Sequence, residues 1–146
     1  ALADTKSYVR QYTRPWMDSG LERATDDPLL IDQIARIEVS VAAASAMLEQ
    51  ASTSMDHLPD RPDEKAVATV SIAVAMAKVL ADEVALLATN KLFELCGASS
   101  TREQLNLNRH WRNARTHTLH DPVRWKLQAI GDYFLNGTLP KRHNYI

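Results

Sequence analysis

The sequence predicts an all-α protein, an up-and-down helical bundle of four long helices plus a C-terminal helix. Three observations predict it. Glycine is scarce, with 4 residues, while alanine is abundant, and that composition favours helix over sheet. The glycines (Gly20, Gly97, Gly131 and Gly137) fall where helices would be punctuated. Apolar residues recur at three- and four-residue steps over two long stretches, the amphipathic helical period.

Residues 1 to about 13 read as a first helix that ends before Pro15, because proline lacks an N–H and restricts its predecessor. A polar connection runs from Trp16 to Asp27. Asp27-Pro28 then opens the second helix, an N-capping aspartate followed by proline in the first turn. Leu30, Ile34, Ile37, Val41, Ser45, Leu48 and Met55 carry its apolar period, with Ala44 and Ala51 between them. His57 to Pro62 breaks the pattern. A third helix follows from about Asp63 to Leu95. It is apolar on two faces: Val67, Val70, Val74, Ala77, Ala81, Val84 and Ala88 form one stripe, and Ile72, Val79, Leu86 and Phe93 the other. Such a helix is central, covered on both sides.

Gly97 fits a left-handed C-cap. Ser100-Thr101-Arg102-Glu103 spells a capping box for a fourth helix ending near Leu119. Asp121, as N-cap, and Pro122 start a fifth helix that turns Val123, Leu127, Ile130, Phe134 and Leu135 inward. Asn136-Gly137 ends it before a basic tail with Pro140, Lys141 and Arg142.

With 146 residues, the chain is expected to be one domain with its own core. A net charge of −1 argues against a general nucleic-acid binder. The lone Cys96 excludes an internal disulfide and suits a reducing, cytoplasmic compartment. No secretory signal is visible, and the most apolar run, Ala66 to Ala77, is too short to span a bilayer. The chain opens inside helical sequence without a methionine, as expected of a piece of a longer protein.

The chemistry concentrates in residues 106–122, which hold three arginines, three histidines and a tryptophan. Guanidinium and imidazole at that density suit recognition of an anion beside a group that moves protons near neutral pH. Arg109, Arg112 and Arg115 stand three apart on one helix face. They meet either a ligand phosphate or the carboxylates of neighbouring helices. His117 and His120, also three apart, are either proton-handling or structural. A metal site is not expected, since no third ligand follows at helical spacing apart from Asp121. Lys78 and Asp82 form a helix-surface pair, Trp111 and Trp125 are core or interface anchors, and Cys96 is a small buried residue.

With these elements in place the chain resembles the C-terminal domain of the acyl-CoA dehydrogenase superfamily. Within it the chain is most similar to the flavin-dependent monooxygenase branch of dibenzothiophene monooxygenase and sulfur-acquisition oxidoreductase type. The carriers are Arg14-Pro15-Trp16, Asp26-Asp27-Pro28, Glu94-Leu95-Cys96-Gly97-Ala98-Ser99 and, most specifically, Arg112-Asn113-Ala114-Arg115-Thr116-His117-Thr118-Leu119-His120-Asp121-Pro122. The resemblance implies a cytoplasmic flavoprotein oxidoreductase, a homotetramer whose N-terminal helical and middle β-domains would precede this bundle. It implies a flavin, FMN or FAD, near Arg112, Arg115, Gly97 and Ala98. It also implies a proton-handling histidine near the flavin, His120 first and His117 second.

Two departures from the family are informative. The dehydrogenases commonly place a glutamate base in an Arg-Asp-Ala-Lys-Ile-Tyr-Glu-Gly type sequence. Laid without gaps on Arg112 to Leu119, that glutamate falls on Thr118, which cannot take an α-proton from a thioester at neutral pH. In addition, the branch often carries Arg-Glu-Arg before Arg-Pro-Trp, and here the run is Arg10-Gln11-Tyr12. The missing arginine removes one contact for the adenylate half of FAD and leaves reduced FMN open beside it. The leading expectation is a reduced-flavin monooxygenase domain. Thioester dehydrogenation and a non-catalytic assembly module are the alternatives.

Overall fold

The computed structural model describes residues 1–141; Arg142, part of the expected basic tail, lies outside them. All regular structure among the described residues is helical: α1 Leu2–Gln11, α2 Pro28–Asp56, α3 Glu64–Cys96, α4 Asn108–His120 and α5 Val123–Asn136. Short 3₁₀ turns occupy Ala24–Asp26, Ala98–Thr101 and Glu103–Leu105. The all-α expectation is met. The 29 and 33 residues of α2 and α3 make them about 44 and 50 Å long. None of the described helices is long and apolar enough to cross a membrane.

The caps explain most of the boundaries. Asp27 Oδ1 accepts the Leu29 N–H at 2.9 Å and Asp63 Oδ1 accepts the Ala66 N–H at 2.7 Å, so both long helices start on aspartate caps. Gly137, at φ 72° and ψ 15°, closes α5 in the left-handed conformation expected of Asn136-Gly137.

Four local expectations are corrected. Ser100 does not cap α4: its Oγ donates to the Gly97 carbonyl at 2.7 Å, which spends the hydroxyl on a 3₁₀ turn. The fourth helix begins at Asn108 instead, after Asn106 turns the chain at φ 47°. Asp121 does not cap α5 either. Pro122 is itself the N-cap, which leaves the Asp121 carboxylate to pair with Lys126 Nζ at 3.0 Å. Gly97 has the expected positive φ of 79°, but its ψ of 175° is extended rather than left-handed helical. Gly131 lies within α5 and punctuates nothing.

The chain divides into two compact units, residues 1–40 with 84–116 and residues 41–83 with 117 onward. In the first, Val9 of α1, Ile37 of α2, Ala88, Leu92, Leu95 and Cys96 of α3, and Leu107 are buried. Lys6 Nζ binds Glu38 at 2.6 Å and ties α1 to α2, and Tyr8 Oη meets Ser99 Oγ at 2.9 Å. Cys96 is buried as expected, and burial pushes its thiol up to about 11.

In the second unit the end of α2, the link at 57–63 and the start of α3 form a helical hairpin. Its core is mostly small: Ala44 and Ala51 of α2 with Ala68, Ala75 and Ala77 of α3, reinforced by Val70, Ile72 and Val79. Small side chains let helix axes approach closely. Thr69 Oγ1 lies 3.4 Å from Tyr133 Oη and links α3 to α5.

The amphipathic reading of the outer helices is only partly met. Leu127, Phe134 and Leu135 of α5, expected inward, are exposed. Leu48 and Met55 of α2, Val74 and Ala81 of α3, and the tryptophans Trp111 and Trp125 are exposed as well, so neither tryptophan is a core anchor. A helical period marks which face is apolar; it does not say what covers that face.

Candidate flavin-site elements and their relatives

In the first unit α4 presents its basic face. Asp4 Oδ2 accepts from Arg109 Nη2 at 2.6 Å and lies 2.8 Å from His110 Nε2, which binds the start of α1 to the start of α4. Of the three arginines, Arg109 thus takes the ordinary salt-bridging role. The His110 hydrogen bond, together with the nearby charges of His110 and Arg109, holds the Asp4 carboxyl below its usual range. A carboxylate with a lowered pKa stabilises the fold above its ordinary value of 3.8, and the gain is lost as pH falls through the lowered value. Asp4→Asn is therefore expected to cost about 1 kcal/mol or less at neutral pH, as for other partly exposed pairs. In urea unfolding the gap between variant and wild type should close in acid; a gap that widens there contradicts the assignment.

Arg112 is exposed and donates from Nη2 to Asn106 Oδ1 at 3.1 Å; among the described residues it meets no carboxylate. Arg115, one turn on, is exposed too. Gly97 and Ala98 lie in the exposed turn after α3. Gly97 borders a hollow of about 490 Å³ with Arg14, Pro15, Trp16 and Glu94, and neither Arg112 nor Arg115 lines it. Nothing lies within 4 Å of a Cβ built at Gly97, so Gly97→Ala would meet only backbone strain. At φ 79° and ψ 175°, a region essentially confined to glycine, that strain is expected to cost about 1–3 kcal/mol. A melting curve that matches wild type would refute it.

The second unit holds both candidate histidines, in different surroundings. His120, the last residue of α4, borders a partly open cavity of about 520 Å³ with Asp121, Pro122, Trp125, Lys126 and Asp132, lined also by residues 138–141. Lys126 is almost fully buried there, its ammonium held by Asp121. Thr118 is buried.

His117 stands outside that cavity. Its Nε2 lies 2.8 Å from Lys78 Nζ, and the same Nζ donates to Asp82 Oδ1 at 2.7 Å. The side chains of Lys78 and Asp82 are 15% and 3% exposed, so the expected surface pair is an interior one. Sequence reasoning missed this cluster, although a signal was present: Lys78 is the only charge between Ala66 and Ala81. The buried Lys126 was also missed, and no periodicity marks it.

The family model described as acyl-CoA dehydrogenase, C-terminal domain, matches residues 1–125. Dibenzothiophene monooxygenase of Mycolicibacterium goodii is 33% identical over 143 residues, covering 96% of this chain and 34% of the relative. Among solved structures, methanesulfinate monooxygenase MsuC from Pseudomonas fluorescens is similar with a TM-score of 0.94 at 32% identity, over 99% of this chain and 38% of that one. FMN-bound TdsC from Paenibacillus sp. A11-2 is similar with a TM-score of 0.94 at 31% identity, over 99% and 37%. The chain spans about a third of the length of the curated relatives it matches. A family model that covers residues 1–125, and the same helical fold in relatives of this identity, place the chain in the acyl-CoA dehydrogenase C-terminal domain family.

Proposed function

We propose that the chain is the single C-terminal helical domain of a cytoplasmic, reduced-flavin-dependent monooxygenase. In the whole protein an N-terminal helical domain and a middle β-domain would complete the site, and the bundles would assemble a homotetramer. One observation carries the reading. Thr118, on which the dehydrogenase glutamate falls in the ungapped comparison, is buried, while His120, two residues on, borders a roomy cavity. That arrangement puts no carboxylate at the Thr118 position, engages the neighbouring Asp121 with Lys126, and retains a proton carrier in His120. The similarity to monooxygenases supports it.

The residues fit a flavin. The guanidinium of Arg112 meets no carboxylate among the described residues, and with Arg115 it supplies positive charge for a phosphate. Gly97 and Ala98 offer exposed backbone that a neighbouring subunit's flavin would lie against. FMN is favoured over FAD by the missing arginine in Arg10-Gln11-Tyr12 and by the FMN-bound relative. Bound reduced flavin supplies the electrons that activate dioxygen. His120 holds or delivers a proton at a ring nitrogen; His117, the second candidate, has one ring nitrogen engaged by Lys78 Nζ at 2.8 Å. Pro122, Trp125 and Leu139 give the cavity an apolar wall for a small-molecule substrate.

The test uses the full-length protein. Enzyme-dependent oxygen consumption with reduced FMN, and no dye reduction by acyl-CoA, is expected. Dye reduction driven by acyl-CoA would reverse the reading, and a full-length protein that ignores flavin would leave only an assembly role.

A further inference from the structure

We infer that Lys78 is a positioning residue that fixes the tautomer of His117, so that the exposed ring presents Nδ1–H as a donor to a carbonyl or anionic oxygen of a bound ligand. The argument starts in α3, where Lys78 is the only charge between Ala66 and Ala81 and Asp82 follows one turn later. The Asp82 side chain is 3% exposed, and a carboxylate that deeply buried persists only beside a cation. Lys78 is that cation, its Nζ 2.7 Å from Oδ1. Asp82 Oδ2 is buried with no hydrogen-bond partner among the described residues, so no other donor there shares the carboxylate's charge. Lys78 is thereby held as an ammonium.

An ammonium has three donors and no acceptor. At 2.8 Å from Nζ, His117 Nε2 must accept with its lone pair. The neutral ring then carries its proton on Nδ1, and an imidazolium would set donor against donor. The direct separation of Asp82 Oδ1 and His117 Nε2 is 3.7 Å, too long for a hydrogen bond, so the hydrogen-bonded link from the carboxylate to the ring runs through Lys78, while the charge of Asp82 acts on the ring across that distance. The His117 side chain is 69% exposed, which leaves the ring open to a ligand while Lys78 anchors one nitrogen. The use of this donor in a flavin site rests on the monooxygenase reading; the tautomer does not.

Nitrogen-15 NMR of the full-length protein labelled with [¹⁵N]histidine, with His117 assigned by comparison with His117→Gln, reads the tautomer without any flavin. The expected wild-type spectrum shows an unprotonated, hydrogen-bonded Nε2 and a protonated Nδ1 on the neutral ring. In Lys78→Met/Asp82→Leu, which leaves neither charge buried alone, the Nε2 acceptor signal should be lost and the ring should shift toward the Nε2–H form. A wild-type ring protonated at Nε2 overturns the proposal, and so does a double variant that keeps the wild-type signature. Should the double variant fold poorly, the wild-type spectrum still decides.

Discussion

His120→Ala in the full-length protein is expected to lower product formation with reduced FMN about 10²–10⁴-fold, the usual loss when a positioned acid–base group is removed. Oxygen consumption should fall less than product formation, with the difference released as hydrogen peroxide. The expectation follows from position. His120 is the last residue of α4 and borders the 520 Å³ cavity beside the Asp121–Lys126 pair. No carboxylate stands at the Thr118 position, and the neighbouring Asp121 is engaged by Lys126. Alanine removes the ring from a partly open site, so the fold should survive and circular dichroism should be unchanged. Unchanged turnover together with unchanged peroxide release would remove His120 from the mechanism.

The second large effect is on stability. Lys78→Met removes the cation from a carboxylate whose side chain is 3% exposed, and an uncompensated buried charge costs about 3–5 kcal/mol. Asp82 must then be protonated or the helix surface must open. The double variant Lys78→Met/Asp82→Leu removes both charges and should recover most of the loss, because apolar groups of similar volume often replace a buried pair without cost. Urea unfolding of the wild type, the single variant and the double variant closes the cycle. A single variant that loses less than about 1 kcal/mol would mean that water reaches Asp82, and the ion pair would then be the surface pair its spacing alone suggests.

Much of the fold was legible because local rules decide it. Asp27-Pro28 and Asp63 start the long helices where an aspartate side chain meets orphan N–H groups. Asn136-Gly137 ends α5 where a left-handed residue is needed. The local rules failed where two of them competed for one side chain. Ser100 has the spacing of a capping box yet turns its hydroxyl to the Gly97 carbonyl, and Asp121 precedes a proline yet binds Lys126. The candidate site was proposed from the sequence as a segment and not as an arrangement. Residues 106–122 stand out by their guanidinium and imidazole density, but nothing in their spacing assigns Arg109 to Asp4, His117 to Lys78 and His120 to a cavity.

By itself the sequence determined that this chain is helical, where its long helices begin, and which short segment concentrates guanidinium and imidazole groups. These properties depend on neighbours within a turn or two, and residue order records those neighbours directly. The tertiary structure alone decided that the Lys78–Asp82 pair is interior and that the imidazole of His117 rests against it. It also decided that Thr118 is buried while the flanking histidines are exposed. The physical reason is that burial and long-range hydrogen bonds come from packing between residues tens of positions apart. The energy of a charge depends on that packing far more than on its neighbours in sequence.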